Sequence, residues 1–569
     1  MAPLDIVCAG WSPDNTACQK DGRFTCKNCK LVLYCGPTCQ KSHWASHKTD
    51  CKSCLGKETW QPDWVLESRK PAFVGDDSLV SQFGGKTYVW GNMPAFDVLK
   101  LGSNEGVDYK GPLNLLFAAS GDLRNFVKTM TQLPAGYNGV VAATLNDREL
   151  DVVARNAIML LIAFVIDNVE EAVDCIMHVW YSALIRKSHQ EILHQRVRPL
   201  VKEVCDKTKT KDPTSVLGKT WQFGHHTLRL VLAKSAWDGL LSYLDVPSGL
   251  KVDDASRIRR AVTLAEARRD HRDRHLLFHS QFHRVAKLRY WEDGIMLPFG
   301  SHRDDFVEPN PTLFQAADAW PLSDSADPLN GWLLSDVDAT SSGPATNDIY
   351  GKLFYHVRDL LGSFLRRLSA VKATLRVLQV NALELPDYLE LDSFDRIEVS
   401  NISDRGYIGP HRTVALMVPL LQTPAANPNA TLITLFMNII AETMTPEDEV
   451  AGMAKGSKST KQLLKYLQPP TALSTGSDSM ESFMMKSMAA HDFVTSYDRY
   501  FDRVVKELEF AKLATLCGAA MKDRHTVIEK WPYRLKLKPG QPGAQEEFDR
   551  ALCGSPTSKE RYVEWQRIE

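Results

Sequence analysis

An α/β fold with a mostly parallel sheet is what this sequence predicts for the body of the chain, with a small metal-stabilised module ahead of it. Three observations carry that expectation. Two apolar runs of strand length lie near residue 115 and residue 142, each followed by a helical stretch. The same alternation returns near residues 397 and 434. Eight of the twelve cysteines fall within the first 54 of 569 residues, so a separate piece of chemistry sits at the N-terminus.

Residues 113–120, Leu-Asn-Leu-Leu-Phe-Ala-Ala-Ser, form a continuous apolar run, and Gly121 and Asp122 break it before a helix-like stretch over 123–133. Residues 139–145 repeat the pattern, end at Asn146 and Asp147, and lead into a helix from Arg148 to about Phe164. Strands that are apolar throughout and separated by helices belong in a parallel sheet covered on both faces. Residues 394–400 and 431–437 read as further strands, and 401–404 as a loop at a strand's carboxyl end. The expected organisation is a metal module at 1–54, a connector at 55–87 and an α/β domain at 88–445. That domain carries a mostly helical insertion at about 168–300 and a loop at 304–347 rich in Asp, Pro, Ser and Ala. A loop follows at 446–480, then a helical region at 481–569.

Seven of the N-terminal cysteines and one histidine fall into ordered pairs: Cys8 and Cys18, Cys26 and Cys29, Cys35 and Cys39, His47 and Cys51. Eight such ligands suit two tetrahedral zinc ions, since a structural zinc takes four N/S donors. Cys26-Lys-Asn-Cys29 is a knuckle whose tight turn brings two thiolates to one ion. The x3 spacings of Cys35/Cys39 and His47/Cys51 put both members on one helix face. Cys54 in place of Cys51, or His43 in place of His47, would lose that spacing. The segment is too short to bury its own core, so metal must supply its folding energy.

The series Cys26-x2-Cys29-Lys-Leu-Val-Leu-Tyr34-Cys35-x3-Cys39-Gln40-Lys-Ser-His-Trp44-x2-His47-x3-Cys51 resembles a MYND-type zinc finger. The resemblance implies interleaved sites: Cys8, Cys18, Cys35 and Cys39 on one zinc, Cys26, Cys29, His47 and Cys51 on the other. The family's usual first pair is C-x2-C, whereas nine residues separate Cys8 from Cys18 here. It also implies a partner: Gln40 and Trp44 would line a shallow groove for a proline-containing peptide, although a tryptophan packed over the zinc helix reads equally as structure.

The block from Leu115 to Asn125, with Leu145-Asn-Asp-Arg148 and Val153-Ala-Arg155-Asn156, resembles a domain of unknown function that accompanies such fingers in fungal proteins. It is distantly similar to dynein axonemal assembly factors. Gly343-Pro-Ala-Thr-Asn-Asp-Ile-Tyr-Gly-Lys352 and Asn427-Pro-Asn-Ala-Thr-Leu-Ile-Thr-Leu-Phe436 are similar to the same fungal family. The implied core is Rossmann-like and methyltransferase-like.

Ligands of an open parallel sheet bind at strand carboxyl ends, which singles out Gly121, Asp122, Asn146 and Asp147 as candidate cofactor-binding residues. A nucleoside fingerprint needs several glycines, and this loop offers Gly121 alone. The competing reading makes Asp122 and Asp147 helix caps. No nucleophile elbow, P-loop or H-E-x-x-H motif is present, so no catalytic residue is assigned and an enzyme is disfavoured.

Composition is that of an ordinary globular chain, 44% hydrophobic and 24% charged, with 68 Lys and Arg against 69 Asp and Glu. That balance gives no pull toward nucleic acid or membrane. The most apolar run, 157–166, is half of what spans a bilayer, and the first residues lack a signal-peptide pattern, so an intracellular protein is expected. Locally, residues 257–289 hold nine arginines and one lysine against three acids. The same stretch carries His271, His275, His279 and His283 at four-residue spacing. Read as one amphipathic helix, its basic face is solvated or ion-paired, with phosphate contact and a histidine-metal column as weaker readings. The connector shows no helical stripe, so the finger is expected to fold alone and move relative to the body. Trp60 and Trp64 offer the opposite reading, a docked finger.

The sequence therefore leads to a zinc-binding adaptor that captures a protein partner. An S-adenosylmethionine-dependent methyltransferase-like enzyme is the runner-up, and a nucleic-acid-associated transcriptional regulator the third reading.

Overall fold

A computed structural model of the chain describes residues 7–10, 18–74, 83–454, 456–469 and 480–568. Parts of the expected connector (75–82) and of the expected loop (455 and 470–479) lie outside the described residues, as do 11–17 between Cys8 and Cys18.

At the N-terminus a short hairpin, Phe24–Thr25 against Leu33–Tyr34, leads into helix α1, Pro37–Cys51. Pro37 opens that helix where no intrahelical N–H is needed and its fixed φ already suits the first turn.

The body is built on a nine-stranded sheet. Its strands are β1 Leu113–Phe117, β2 Val140–Asp147, β3 Val216–Phe223, β4 His226–Ala233, β5 Lys372–Gln379, β6 Arg396–Glu398, β7 Thr431–Phe436, β8 Ala519–Met521 and β9 Arg561–Arg567. Across the sheet they run β8-β9-β7-β6-β1-β2-β5-β4-β3. From β7 to β4 all neighbours are parallel. β3 is antiparallel at one edge, while β9 and β8 reverse direction in turn at the other. Crossover helices follow the first two strands: α2 Arg124–Gln132 after β1 and α3 Leu150–Val165 after β2. The chain leaves β1 toward β2 on one side and reaches β6 on the other, so the carboxyl ends of β1 and β6 form the topological switch point.

The fold is thus the Rossmann-like, mostly parallel α/β architecture the apolar runs predict, with β1, β2, β6 and β7 where they were expected. Four features differ. The insertion is not wholly helical, because β3 and β4 extend the main sheet, with Leu228, Leu230 and Leu232 buried at every second position. The region after 481 is not wholly helical either, since β8 and β9 complete the sheet. Glu564 disguises β9: it is buried, and its carboxylate accepts the backbone N–H groups of Thr526, Val527 and Ile528. Residues 304–347 are packed rather than loose. Asn310 Nδ2 donates to the carbonyls of His178, Val179 and Ser182, closing the end of helix α4, Val169–Tyr181, whose last carbonyls have no intrahelical partner. Finally, the basic stretch is three helices rather than one: Val252–Thr263, α5 Arg269–Leu277 and α6 Gln281–Asp293.

Those basic helices are what the finger sits on, together with the start of α7, Ile349–Ala370. Asn347, just before α7, donates its backbone N–H to Lys30 O and its side chain to Cys29 O. Arg289 on α6 pairs with Asp50 on α1 at 2.7 Å. The Arg284 guanidinium lies 4.7 Å over the Trp60 ring and donates to the Leu55 and Lys57 carbonyls. Gly56 is required in this seam, because a Cβ there would stand 2.7 Å from the Phe282 ring. Trp64 is 1% exposed, edge-on to Phe73, and Asp270 grips Arg69 with both oxygens. Leu31, Val32 and Tyr34 of the finger belong to the same apolar core as the sheet. The expected freely moving finger is therefore not what forms: the docked alternative is, with Arg284 and Arg289 of the basic stretch spent on holding it.

Candidate metal centre

The eight N-terminal ligands come together in two groups of four. In each, the ligand atoms all lie within 4.8 Å of one another: Cys8, Cys18, Cys35 and Cys39 in one, Cys26, Cys29, His47 and Cys51 in the other. The pairing is interleaved, because the hairpin carries the Cys26–Cys29 knuckle back onto the far half of α1. Cys39 stands on the first turn of α1, and His47 and Cys51 on its last, so one helix organises both groups.

Closest approaches decide the chemistry. Cys18 Sγ and Cys35 Sγ are 3.6 Å apart, Cys35 and Cys39 3.4 Å, and Cys26 and Cys51 3.7 Å. Cys29 Sγ stands 3.4 Å from His47 Nε2. A disulfide would bring sulfurs to about 2.05 Å. A tetrahedron with metal–sulfur bonds of about 2.3 Å has edges of about 3.7 Å. The groups have the size of the tetrahedron.

Backbone amides complete each cradle. Gly10 N–H and Cys35 N–H donate to Cys8 Sγ, and Leu31 N–H donates to Cys29 Sγ. Lys30 turns the knuckle with φ of 51°, its own N–H returning to Cys26 O. Asn28 Nδ2 donates to Cys51 Sγ. These donors favour thiolate, and two opposing effects act on the thiols. Burial pushes Cys29 well up, and the hydrogen bond shared with Cys35 pushes Cys39 up to about 12. Four crowded thiols cannot all ionise without a cation among them. His47 is buried, which pushes it down to about 4 and leaves the neutral imidazole that a ligand requires. A divalent, sulfur-preferring ion fits both donor sets, four sulfurs in one and three sulfurs with one imidazole in the other.

Gln40 and Trp44 lie one turn apart on α1, on its outward face. Gln40 is half-buried and Trp44 is 38% exposed, its ring edge-on to His47 at 6.0 Å.

The strand-end residues show a different kind of site. Gly121, at φ of 53°, turns its N–H onto Asp147 Oδ2, and Asp147 Oδ1 accepts from Glu149 N–H. Asn146 bridges three loops, donating to Ala118 O and Val380 O and accepting from Val380 N–H. Asp122 accepts from Gly91 N–H and from the backbone and guanidinium of Arg124. Arg124, buried, also donates to Met93 O, and Glu398 at the end of β6 is pushed by burial up to about 7. Gly91 must be glycine, because a Cβ there would overlap the Arg124 guanidinium. At the switch point the glycine-loop N–H that would face a nucleoside phosphate is turned to a carboxylate of the chain itself.

Sequence reasoning missed Asn347, although it lies in the Gly343–Lys352 phrase; only the distance in sequence hid its bond to the knuckle. The histidine column also dissolves. His271 and His275 stand on α5 and His283 on α6, and among the described residues these histidines form no metal-ligating group.

A family model described as MYND finger matches residues 15–51, and one described as a domain of unknown function (DUF4470) matches 89–185. Three N-lysine methyltransferases match over the finger. They are SMYD2-B of Danio rerio and of Xenopus laevis, each 40% identical over 45 residues, and SMYD2 of Gallus gallus, 34% identical over 62. These segments are 8–11% of this chain and 10–14% of the relatives, so the chain spans about a tenth of the length of the curated relatives it matches. No solved structure matches. No helix among the described residues is long and apolar enough to cross a membrane. The chain carries an N-terminal MYND finger with two sites able to hold zinc, joined to an α/β body that contains a DUF4470 domain.

Proposed function

We propose that this protein is a zinc-dependent adaptor whose finger captures an extended, proline-containing segment of a protein partner across Gln40 and Trp44. The two groups of four supply the zinc ligands, and zinc fixes α1, so the groove exists only in the metal-loaded chain. The observation that carries the reading is Trp44 itself. Every other described tryptophan is at most 9% exposed, whereas Trp44 presents 38% of its surface to solvent from a helix held on both sides. An aromatic platform at a rigid helix face is what proline-rich, extended peptides dock against. Because the finger is seated on the body, the partner would be held in a fixed orientation rather than on a tether.

The methyltransferase names of the relatives belong to proteins that share only the finger with this chain. The bonded carboxylates and Arg124 at the switch point leave the enzyme reading with less support than the adaptor. The arginines of 257–289 that grip the finger and its connector weaken the nucleic-acid reading in the same way. The test is a binding titration of a labelled proline-rich peptide against the zinc-loaded chain. Trp44→Ala should weaken binding tenfold or more while zinc content and melting temperature stay unchanged. Undiminished binding by that variant would remove the groove from the proposal.

A further inference from the structure

A cavity of about 1440 Å³ opens between residues 64–74 and 87–92, helices α5 and α6, and the segments 322–330, 481–493 and 552–557. Two of its walls bear on what it could hold. One is the helix Met480–Val494, labelled α8, which turns Met484, Met485 and Met488 toward the space; Met484 and Met488 are 55% and 61% exposed. The other is basic, formed by Arg274, His275, His279 and Lys287; the carboxylates of Asp327, Glu481 and Asp492 also line the space, the last paired with Lys559 at 2.8 Å.

The basic wall is out of balance. Lys287 is neutralised by Asp327 at 2.7 Å. Arg274 lies over the Phe73 ring at 4.9 Å, yet among the described residues its guanidinium has no hydrogen-bond or ion-pair partner. The imidazoles of His275 and His279, half-buried on the cavity wall, also lack one among those residues. Burial pushes His275 down to about 3 and His279 well below the usual range. Polar groups partly withdrawn from water usually find a partner, whether cation or neutral imidazole. Three such groups aimed into one space mark where acceptors from outside would be received. Opposite them, flexible thioethers conform to apolar ligands of varied shape. The space exceeds the roughly 300–1,000 Å³ that suits a drug-sized ligand, so the occupant is long.

We infer that this cavity binds an anionic amphiphile, a carboxylate or phosphate monoester bearing a long alkyl tail. The anion is taken by Arg274 and the two histidines, and the tail lies along the methionines of α8.

Calorimetry on the zinc-loaded full chain with decyl phosphate, decanol and inorganic phosphate separates head from tail. One decyl phosphate should bind per chain, at least tenfold more tightly than decanol, with inorganic phosphate weaker than either. Arg274→Gln should cut decyl phosphate affinity tenfold or more and leave decanol unchanged. Should that variant fold poorly, Met488→Glu, at an exposed position, should weaken decyl phosphate without lowering the melting temperature. Equal affinity for decyl phosphate and decanol, or an Arg274→Gln variant that binds like the parent, would overturn the anion site. Absence of heat with both long-chain probes would overturn the site altogether.

Discussion

The finger and the switch point of the sheet both crowd ionisable side chains into a small buried volume, and they resolve the crowding in opposite ways. In the finger, sulfur and imidazole atoms converge on one another at 3.4–3.7 Å, and what donates to them is mainly backbone N–H. Among the described residues no Lys or Arg side chain pairs with the seven thiols, which as thiolates would carry seven negative charges. At the switch point every group has its counterpart: Asp122 faces Arg124, Asp147 faces Gly121 N–H, and Asn146 spans two carbonyls. Converging ligands without an internal partner imply an external ion, whereas a closed network of donors and acceptors is complete as folded. The comparison predicts that the finger depends on its metal and the switch point on nothing that must be added.

Metal removal should therefore have the largest effect. Structural zinc contributes about 10–16 kcal/mol to small fingers. Metal analysis should return two zinc ions per chain, and Cys29→Ser should lose the ion of the Cys26, Cys29, His47 and Cys51 group. Because the knuckle is bonded to Asn347 and shares the body's core, chelation should lower the melting temperature of the body too, seen as one calorimetric transition moving down. Zinc competes with protons for thiols that burial holds protonated, so retention should fall as pH falls. One ion retained, with Cys8→Ser neutral, would show that the four-cysteine group is no metal site.

The seam between the two regions comes next. Trp64→Ala empties a fully buried aromatic site and should destabilise by about 3–5 kcal/mol. A loss below about 1 kcal/mol in chemical denaturation would return the finger to the status of a tethered, independent module.

A pH effect of similar size belongs to the switch point. Burial raises the Glu398 carboxyl from its ordinary 4.5 to about 7. The folded state then holds a proton that the unfolded chain releases above about pH 4.5, so this stability is full below that pH and lost as pH rises through 7. The span of about 2.5 pH units corresponds to about 3 kcal/mol. Glu398→Gln should flatten the decline of unfolding free energy between pH 5 and 8 relative to the parent. An unchanged slope would mean that Glu398 is ionised as folded, and that Arg124 carries more of the balance than burial does.

What could be read from the sequence was what is local. The x2 and x3 spacings of Cys26/Cys29, Cys35/Cys39 and His47/Cys51 are properties of one turn of chain, so they survive without a structure. β1, β2 and β7 were legible because unbroken apolar runs have few alternatives. β5 was available and overlooked: Ala373, Leu375 and Val377 alternate with Lys372, Thr374 and Arg376, a period-two pattern amid helical neighbours. β9 was hidden by Glu564, whose three backbone donors come from a loop some 36–38 residues away. Trp60 and Trp64 offered the docked finger as the second reading, but the contacts that dock it were illegible for the same reason on a larger scale, since Asn347 meets Cys29 across 318 residues and Arg284 meets Leu55 across 229. A run of arginines on a page looks like a surface, and only the carbonyls it reaches make it a seam.

The finest test of the comparison is Asn347→Ala. Its side chain donates to Cys29 O at 2.9 Å, and its backbone N–H, which the substitution keeps, donates to Lys30 O. Removing the side chain orphans one carbonyl in a part-buried knuckle, which costs about 1–2 kcal/mol. Metal-bound Cys29 would hold the knuckle from its other side, so much of that loss should appear only once zinc is gone. The expected outcome is a small drop in melting temperature for the zinc-loaded chain and a several-fold faster zinc release to a chelator, followed optically. Unchanged release with an unchanged melting temperature would mean that the metal alone fixes the knuckle and that the body rests against a finger already complete. A large drop in the loaded chain would mean the reverse, with the body shaping the site before any ion arrives.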